Sequence, residues 1–370
     1  MNNIGNIPVI SIDKCVNALT NMYVSIINNH VNLNKIPSAM LWGQPGIGKS
    51  QSIRELASNI EEKTKKKVII TDVRLLLFNP IDLRGIPTSN ADKTLAIWLK
   101  PKIFDMNPSD EVINILFLDE ISSASPSVQA AAYQITLDRT IGEHKLPDNC
   151  IVIAAGNRVT DKAVAFQMPS ALANRFMHFE IDSDFESWNK WAIKNNINSK
   201  VLGFLKFKPN YLNTFDKQIG SMAFATPRTW EMVSNILNNV SSDVNAVFDL
   251  ISGLLGSGIA TELRGWVRVF DDLPNVEDIF KGMDVKIPSN TDTIYALSSS
   301  MIQYARKKKD NINQISNSIK YAMKLPRDFT LLLLKDYQYI EDNYINVLLS
   351  IPEYEKWIKT RGRLLDGAIR

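Results

Sequence analysis

The sequence predicts an α/β fold in three layers, a parallel sheet between helices, followed by an all-helical region. Three features carry that expectation: a glycine-rich loop between an apolar run and an amphipathic segment at residues 39–57, an apolar run closing on the carboxylates Asp119 and Glu120, and the loss of strand-like runs beyond Asp182. Alternation of strand and helix in the first half favours parallel pairing. The change of pattern sets a boundary between units 1–182 and 183–370. A chain of 370 residues exceeds what one core commonly supports, so two units agree with its length.

Composition is ordinary for a water-exposed globular chain, with 45% hydrophobic and 22% charged residues and a net charge of +3. That balance argues neither for nor against nucleic acid, and Lys63-Thr64-Lys65-Lys66-Lys67 reads as a solvated helix end. Cys15 and Cys150 lack partner spacing, which suits a reducing compartment and makes no disulfide or metal framework. His30, His144 and His178 share no ligand spacing. The chain shows no basic-then-apolar leader and no apolar run able to span a bilayer, so the expected location is cytoplasmic.

Taking the elements in order, residues before Pro37 carry Val16, Leu19, Met22, Tyr23, Ile26 and Ile27 at helical spacing. Ala39–Trp42 reads as a buried strand. Gly43-Gln44-Pro45-Gly46-Ile47-Gly48-Lys49-Ser50 then fits a glycine, four free positions and Gly-Lys-Ser. Glycines there let the backbone turn its N–H groups toward phosphate oxygens, and the helix opening at Gln51 adds its positive end. Lys49 reaches the outer phosphates and Ser50 ligates magnesium, so ATP with Mg2+ is the expected cofactor pair. No base-reading motif separates ATP from GTP.

Val68–Val73 is a β-branched second strand. Pieces on either side of Ser89-Asn90-Ala91-Asp92 suggest an inserted hairpin. Ile113–Leu118 is an apolar strand ending in Asp119 and Glu120. At the carboxyl end of a strand beside a phosphate loop, Asp119 holds the metal, while Glu120 orients and deprotonates the attacking water. Ser125 and Pro126 supply an N-cap and a first-turn proline for a helix ending near Asp138-Arg139. Thr140–Pro147 reads as a small hairpin and Cys150–Gly156 as another buried strand. Asn157 at its tip suits holding the hydrolytic water, although an asparagine there also suits a turn.

The run Trp42–Ile181 resembles the AAA+ ATPases, and more particularly their MoxR-type branch with its dynein-related relatives. The matches are the loop at Gly43–Ser50, Lys100-Pro101-Lys102-Ile103-Phe104, Leu118-Asp119-Glu120-Ile121, Leu137-Asp138-Arg139 with Leu146-Pro147, Ala154-Ala155-Gly156-Asn157, and Pro169-Ser170-Ala171-Leu172-Ala173-Asn174-Arg175-Phe176. The resemblance implies an oligomeric ring, a hexamer, that turns ATP hydrolysis into remodelling of a partner protein, with partners that often carry a von Willebrand factor A domain. It implies that the inserts at 85–98 and 140–147 face a central pore or the substrate. It also assigns an arginine finger to Arg175, reaching the γ-phosphate held by a neighbouring copy, with Arg139 the weaker candidate. A structural arginine capping its helix is the other reading of Arg175.

Beyond Asp182 the pattern is helical. Thr226-Pro227-Arg228 opens a helix with Thr226 as N-cap. A cation at a helix N-terminus is unfavourable unless an anion is near, so Arg228 resembles the sensor-2 arginine of the lid; an exposed salt bridge is the alternative. The resemblance fades after the lid. Two rival classes remain open, a nucleic-acid motor or loader, which salt-sensitive stimulation by nucleic acid would mark, and a nucleotide-gated binding module with little hydrolysis.

Overall fold

A computed structural model describes residues 7–158, 161, 168, 173–215 and 221–361. Packing divides the chain into two units, Met1–Ser183 and Asp184–Arg370. The first is built on six parallel strands, β1 (Val9–Ser11), β2 (Ser38–Trp42), β3 (Lys67–Arg74), β6 (Val112–Asp119), β9 (Cys150–Gly156) and β10 (Phe176–Asp182). Their order across the sheet is β1-β10-β2-β9-β6-β3. β2, β6 and β9 are buried along their whole length. Helices covering both faces explain why these segments are continuous apolar runs rather than alternating ones.

On one face lie α1 (Ile12–Asn28) and α2 (Lys49–Thr64), whose Leu19, Tyr23, Ile53, Leu56 and Ile60 pack with Leu41, Phe117 and Ile153. On the other, α4 (Pro126–Asp138) packs Val128, Ala131, Ala132 and Ile135 against Met40, Leu116 and Leu118. Pro126 occupies the first turn of α4, but the Ser125 hydroxyl lies 3.1 Å from that of Ser127 and makes no capping bond. Cys150 is fully buried in β9, as a small core residue should be.

Two hairpins interrupt the alternation. After the short α3 (Pro80–Arg84), β4 (Ile86–Ser89) pairs antiparallel with β5 (Ala96–Leu99). β7 (Thr140–Ile141) pairs with β8 (His144–Lys145). The second hairpin is fastened to the first: Trp98 N donates to Glu143 Oε1 at 2.9 Å, and His144 Nε2 lies 2.7 Å from Trp98 O. Gly142, at φ +57°, permits this approach, since a Cβ there would stand 2.7 Å from Arg84 O. Leu77, Ile81, Ile86, Leu95 and Leu99 of this region are exposed.

Among the described residues the second unit is entirely helical. Phe204 is its aromatic centre, 5.5 Å from Trp230 and 5.9 Å from Trp266 between ring centroids. Pro227–Asn239 opens on a reciprocal cap, with Thr226 Oγ1 accepting from Thr229 N and Thr229 Oγ1 accepting from Thr226 N. Deep in this core Lys206 Nζ donates to Asp336 Oδ2 at 2.5 Å, with side chains 1% and 3% exposed, and Asn189 Nδ2 donates to Asp336 Oδ1. The basic run at the end of the helix Thr291–Lys307 is tied down: Arg306 donates to the Ile193 carbonyl and Lys309 pairs with Glu341.

Candidate functional site

β2, β6 and β9 are neighbours, so the segments that leave their carboxyl ends converge. The loop Gly43–Gly48 leaves β2, with Gly43 N donating to Gly156 O at 3.2 Å. Gly43 must lack a side chain, because a Cβ would fall 2.5 Å from Ile47 Cδ1 and 2.9 Å from Ile181 O. Gly48, left-handed at φ +103°, turns the chain into α2 at Lys49. Pro45 and Gly46 are half-buried, Gln44 and Ile47 buried, and Gln51 points to solvent from the first turn.

Lys49 is buried at 8% exposure. Its ammonium donates to Gly43 O at 2.5 Å, to Gln44 O at 2.9 Å and to Asn157 Oδ1 at 3.2 Å. Ser50 Oγ donates to Asp119 Oδ2 at 2.8 Å, while Asp119 Oδ1 accepts from Glu120 N at 2.9 Å. A phosphate-loop lysine, a hydroxyl, a strand-end aspartate and an asparagine amide thus form one cluster. Its donor set, a serine hydroxyl with a carboxylate oxygen, is hard oxygen chemistry that fits Mg2+ in company with phosphate oxygens and water.

Glu120 follows Asp119 in the left-handed region at φ +58°. Its side chain is half-buried at the exit of β6. Arg175 is exposed in the turn just before β10; Pro169–Leu172 of the same motif lie outside the described residues. Arg139 is a different kind of residue: buried, left-handed at the end of α4, and donating to Ile36 O at 2.7 Å. Burial lowers its pKa from the ordinary arginine value. That anchorage suits a helix end. Arg228 is exposed in the first turn of the Pro227–Asn239 helix, in the second unit.

Three supporting groups have no sequence signal. Ser122 Oγ accepts from Asn157 N at 2.9 Å, holding the amide's backbone. Arg158, next to Asn157, is clamped between Asp161 and Glu180, with contacts of 2.7 and 2.8 Å. His178 joins Trp42 to Ala173. Three of these links, Ser122 to Asn157, Arg158 to Glu180 and His178 to Trp42, join segments of different strands, so only the strand order brings those partners together.

Residues 38–178 match the family model AAA_3, described as the ATPase family associated with various cellular activities (AAA). The match covers less than half of the chain and makes this segment similar to that ATPase family. No curated protein matches the chain. Among solved structures, a mutant of Thermotoga maritima RuvB is 15% identical over 79% of this chain and 84% of its own, with a TM-score of 0.37. C. elegans PCH-2 is 12% identical over 68% of this chain and 67% of its own, with a TM-score of 0.35. A putative ATPase from Cytophaga hutchinsonii is 15% identical over 88% and 94%, with a TM-score of 0.29. At such scores we draw nothing about activity from them. Among the described residues, no helix is long and apolar enough to cross a membrane.

Proposed function

We propose that the first unit binds ATP with Mg2+ and hydrolyses it, in a ring of copies in which Arg175 of one copy completes the site of the next, and that the ring remodels a partner protein. The observation that carries the reading is the 2.8 Å bond from Ser50 to Asp119 beside the 3.2 Å bond from Lys49 to Asn157. These four side chains come from the phosphate loop and two adjacent strand ends, where binding and water-positioning groups must meet.

Lys49 turns from the loop carbonyls to the outer phosphates, drawn by their charge, while the N–H groups around Gly46 and Gly48 face the same oxygens. Ser50 and Asp119 hold Mg2+, which when bound neutralises charge on the β- and γ-phosphate oxygens. Glu120 takes the proton of the attacking water, and Asn157 fixes that water's direction. Arg175, exposed in the turn before β10, meets charge developing on the transferred group, a contribution on the order of a thousandfold. Arg228, in the first turn of its helix, keeps the sensor-2 role that the resemblance implies. The exposed apolar residues of the paired hairpins favour a protein over a polyanion as the substrate. A hexamer is the proposed stoichiometry.

The test is ATP turnover across protein concentration, with sizing in ATP, for the wild type, Glu120→Gln and Arg175→Ala. We expect specific activity to rise with assembly, and both variants to bind ATP and lose turnover. Turnover independent of concentration and indifferent to Arg175 would sink the shared site, and absent turnover in assembled wild type would leave a nucleotide-gated binding module.

A further inference from the structure

We infer that His178 is a positioning residue linking the root of the phosphate loop to the turn that presents Arg175; this rests on the shared-site reading above. Trp42, the last residue of β2, runs directly into Gly43. Its indole N–H only donates, and it lies 2.9 Å from His178 Nδ1. Nδ1 is therefore the acceptor, and in the neutral ring the proton sits on Nε2. That nitrogen lies 2.7 Å from Ala173 O and donates to it. Trp42 thus dictates the tautomer that lets His178 hold the Ala173 carbonyl.

The ring has little freedom to do otherwise. Its centroid is 6.1 Å from that of Trp42 and 5.9 Å from that of Phe176, and β10 is fixed beside β2 by the pairing of Phe176 with Ser38 and of His178 with Met40. Arg175 is exposed and sits two residues after Ala173 and one before Phe176. An exposed arginine takes its direction from its backbone, and this backbone is pinned on one side by the sheet and on the other by His178. The opposite end of the link is the loop root, where Gly43 N is held by Gly156 O. Movement of the loop root in one copy therefore passes through Trp42 and His178 to that copy's Arg175, which acts in the neighbouring site.

Mixed assemblies test this. Wild-type copies are combined with excess Glu120→Gln copies, which have no turnover of their own and can only lend Arg175. The lending copy then also carries Arg175→Ala, His178→Phe, His178→Gln or Trp42→Phe. We expect Arg175→Ala to lower turnover most, and His178→Phe and Trp42→Phe to lower it about threefold to tenfold, the scale of one hydrogen bond. His178→Gln, which can accept at one end and donate at the other, restores most of it. ATP affinity and assembly of the lending copies stay unchanged. If His178→Phe and Trp42→Phe lend as well as the parent while Arg175→Ala does not, the link is overturned and the shared site stands. If Arg175→Ala also lends as well as the parent, the shared site itself fails and takes the link with it. Should His178→Phe not assemble, Trp42→Phe, which keeps a ring and removes the donor, decides alone.

Discussion

Each unit of this protein buries a lysine, and the two lysines are buried for different ends. Lys49, at 8% exposure, sits at the mouth of a sheet with its ammonium on oxygens of the loop and of Asn157. Lys206, at 5%, lies inside a helical core with its ammonium on the carboxylate of Asp336. Amide oxygens can be exchanged for phosphate at modest cost, so the first arrangement leaves the charge available to a ligand. A buried carboxylate cannot be abandoned without stranding a charge in a poor solvent. Burial of a cation thus marks a site only where its partners can release it.

Breaking the second arrangement should have the largest effect. Lys206→Met strands Asp336 and should cost about 3–5 kcal/mol of stability in urea denaturation, while Lys206→Met with Asp336→Leu recovers most of the loss. Lys49→Ala should leave the denaturation midpoint nearly unmoved and weaken ATP binding by about 1.5–3 kcal/mol, read by nucleotide titration. A Lys49 variant that unfolds like the Lys206 variant would erase the contrast. Ser122→Ala, which takes the acceptor from Asn157 N, should cost about 1 kcal/mol of transition-state stabilisation, lowering kcat several-fold at unchanged ATP affinity.

The smallest effect belongs to an exposed pair in the helical unit. Lys335 donates to Glu186 at 2.5 Å, and that bond and charge hold the Glu186 carboxyl below its usual range. A lowered folded pKa contributes stability above the unfolded value of about 4.3 and loses it as pH falls through the folded one. Lys335→Met should therefore cost a few tenths of a kcal/mol near neutral pH and nothing in acid, since most of the pair is solvated.

The parts legible in the sequence are those written locally. The loop Gly43–Ser50, the strand ending at Asp119, both hairpins and the Thr226 cap are each local in sequence, the longest being the hairpin Ile86–Leu99, and spacing alone fixes their geometry. The meeting of Ser50 with Asp119 is expected from the two motifs, although β9 lies between β2, which leads into the loop, and the acid-tipped β6. The Ser125 cap did not form because its hydroxyl faces Ser127. What stayed hidden depends on non-consecutive contacts. Nothing near His178 shows that β10 lies between β1 and β2, and Lys206 and Asp336 are 130 positions apart. The helical unit was readable as helices by their periodicity, while its buried ion pair left no trace in that pattern.

Glu120 carries a further consequence. A left-handed backbone at a non-glycine residue is costly, on the order of 1–2 kcal/mol. The position is one where folding and the proposed turnover reward opposite choices: glycine would relieve the backbone and remove the proposed base. A library of this chain screened for heat resistance alone should therefore enrich Glu120→Gly early and yield sturdier molecules that keep ATP without spending it.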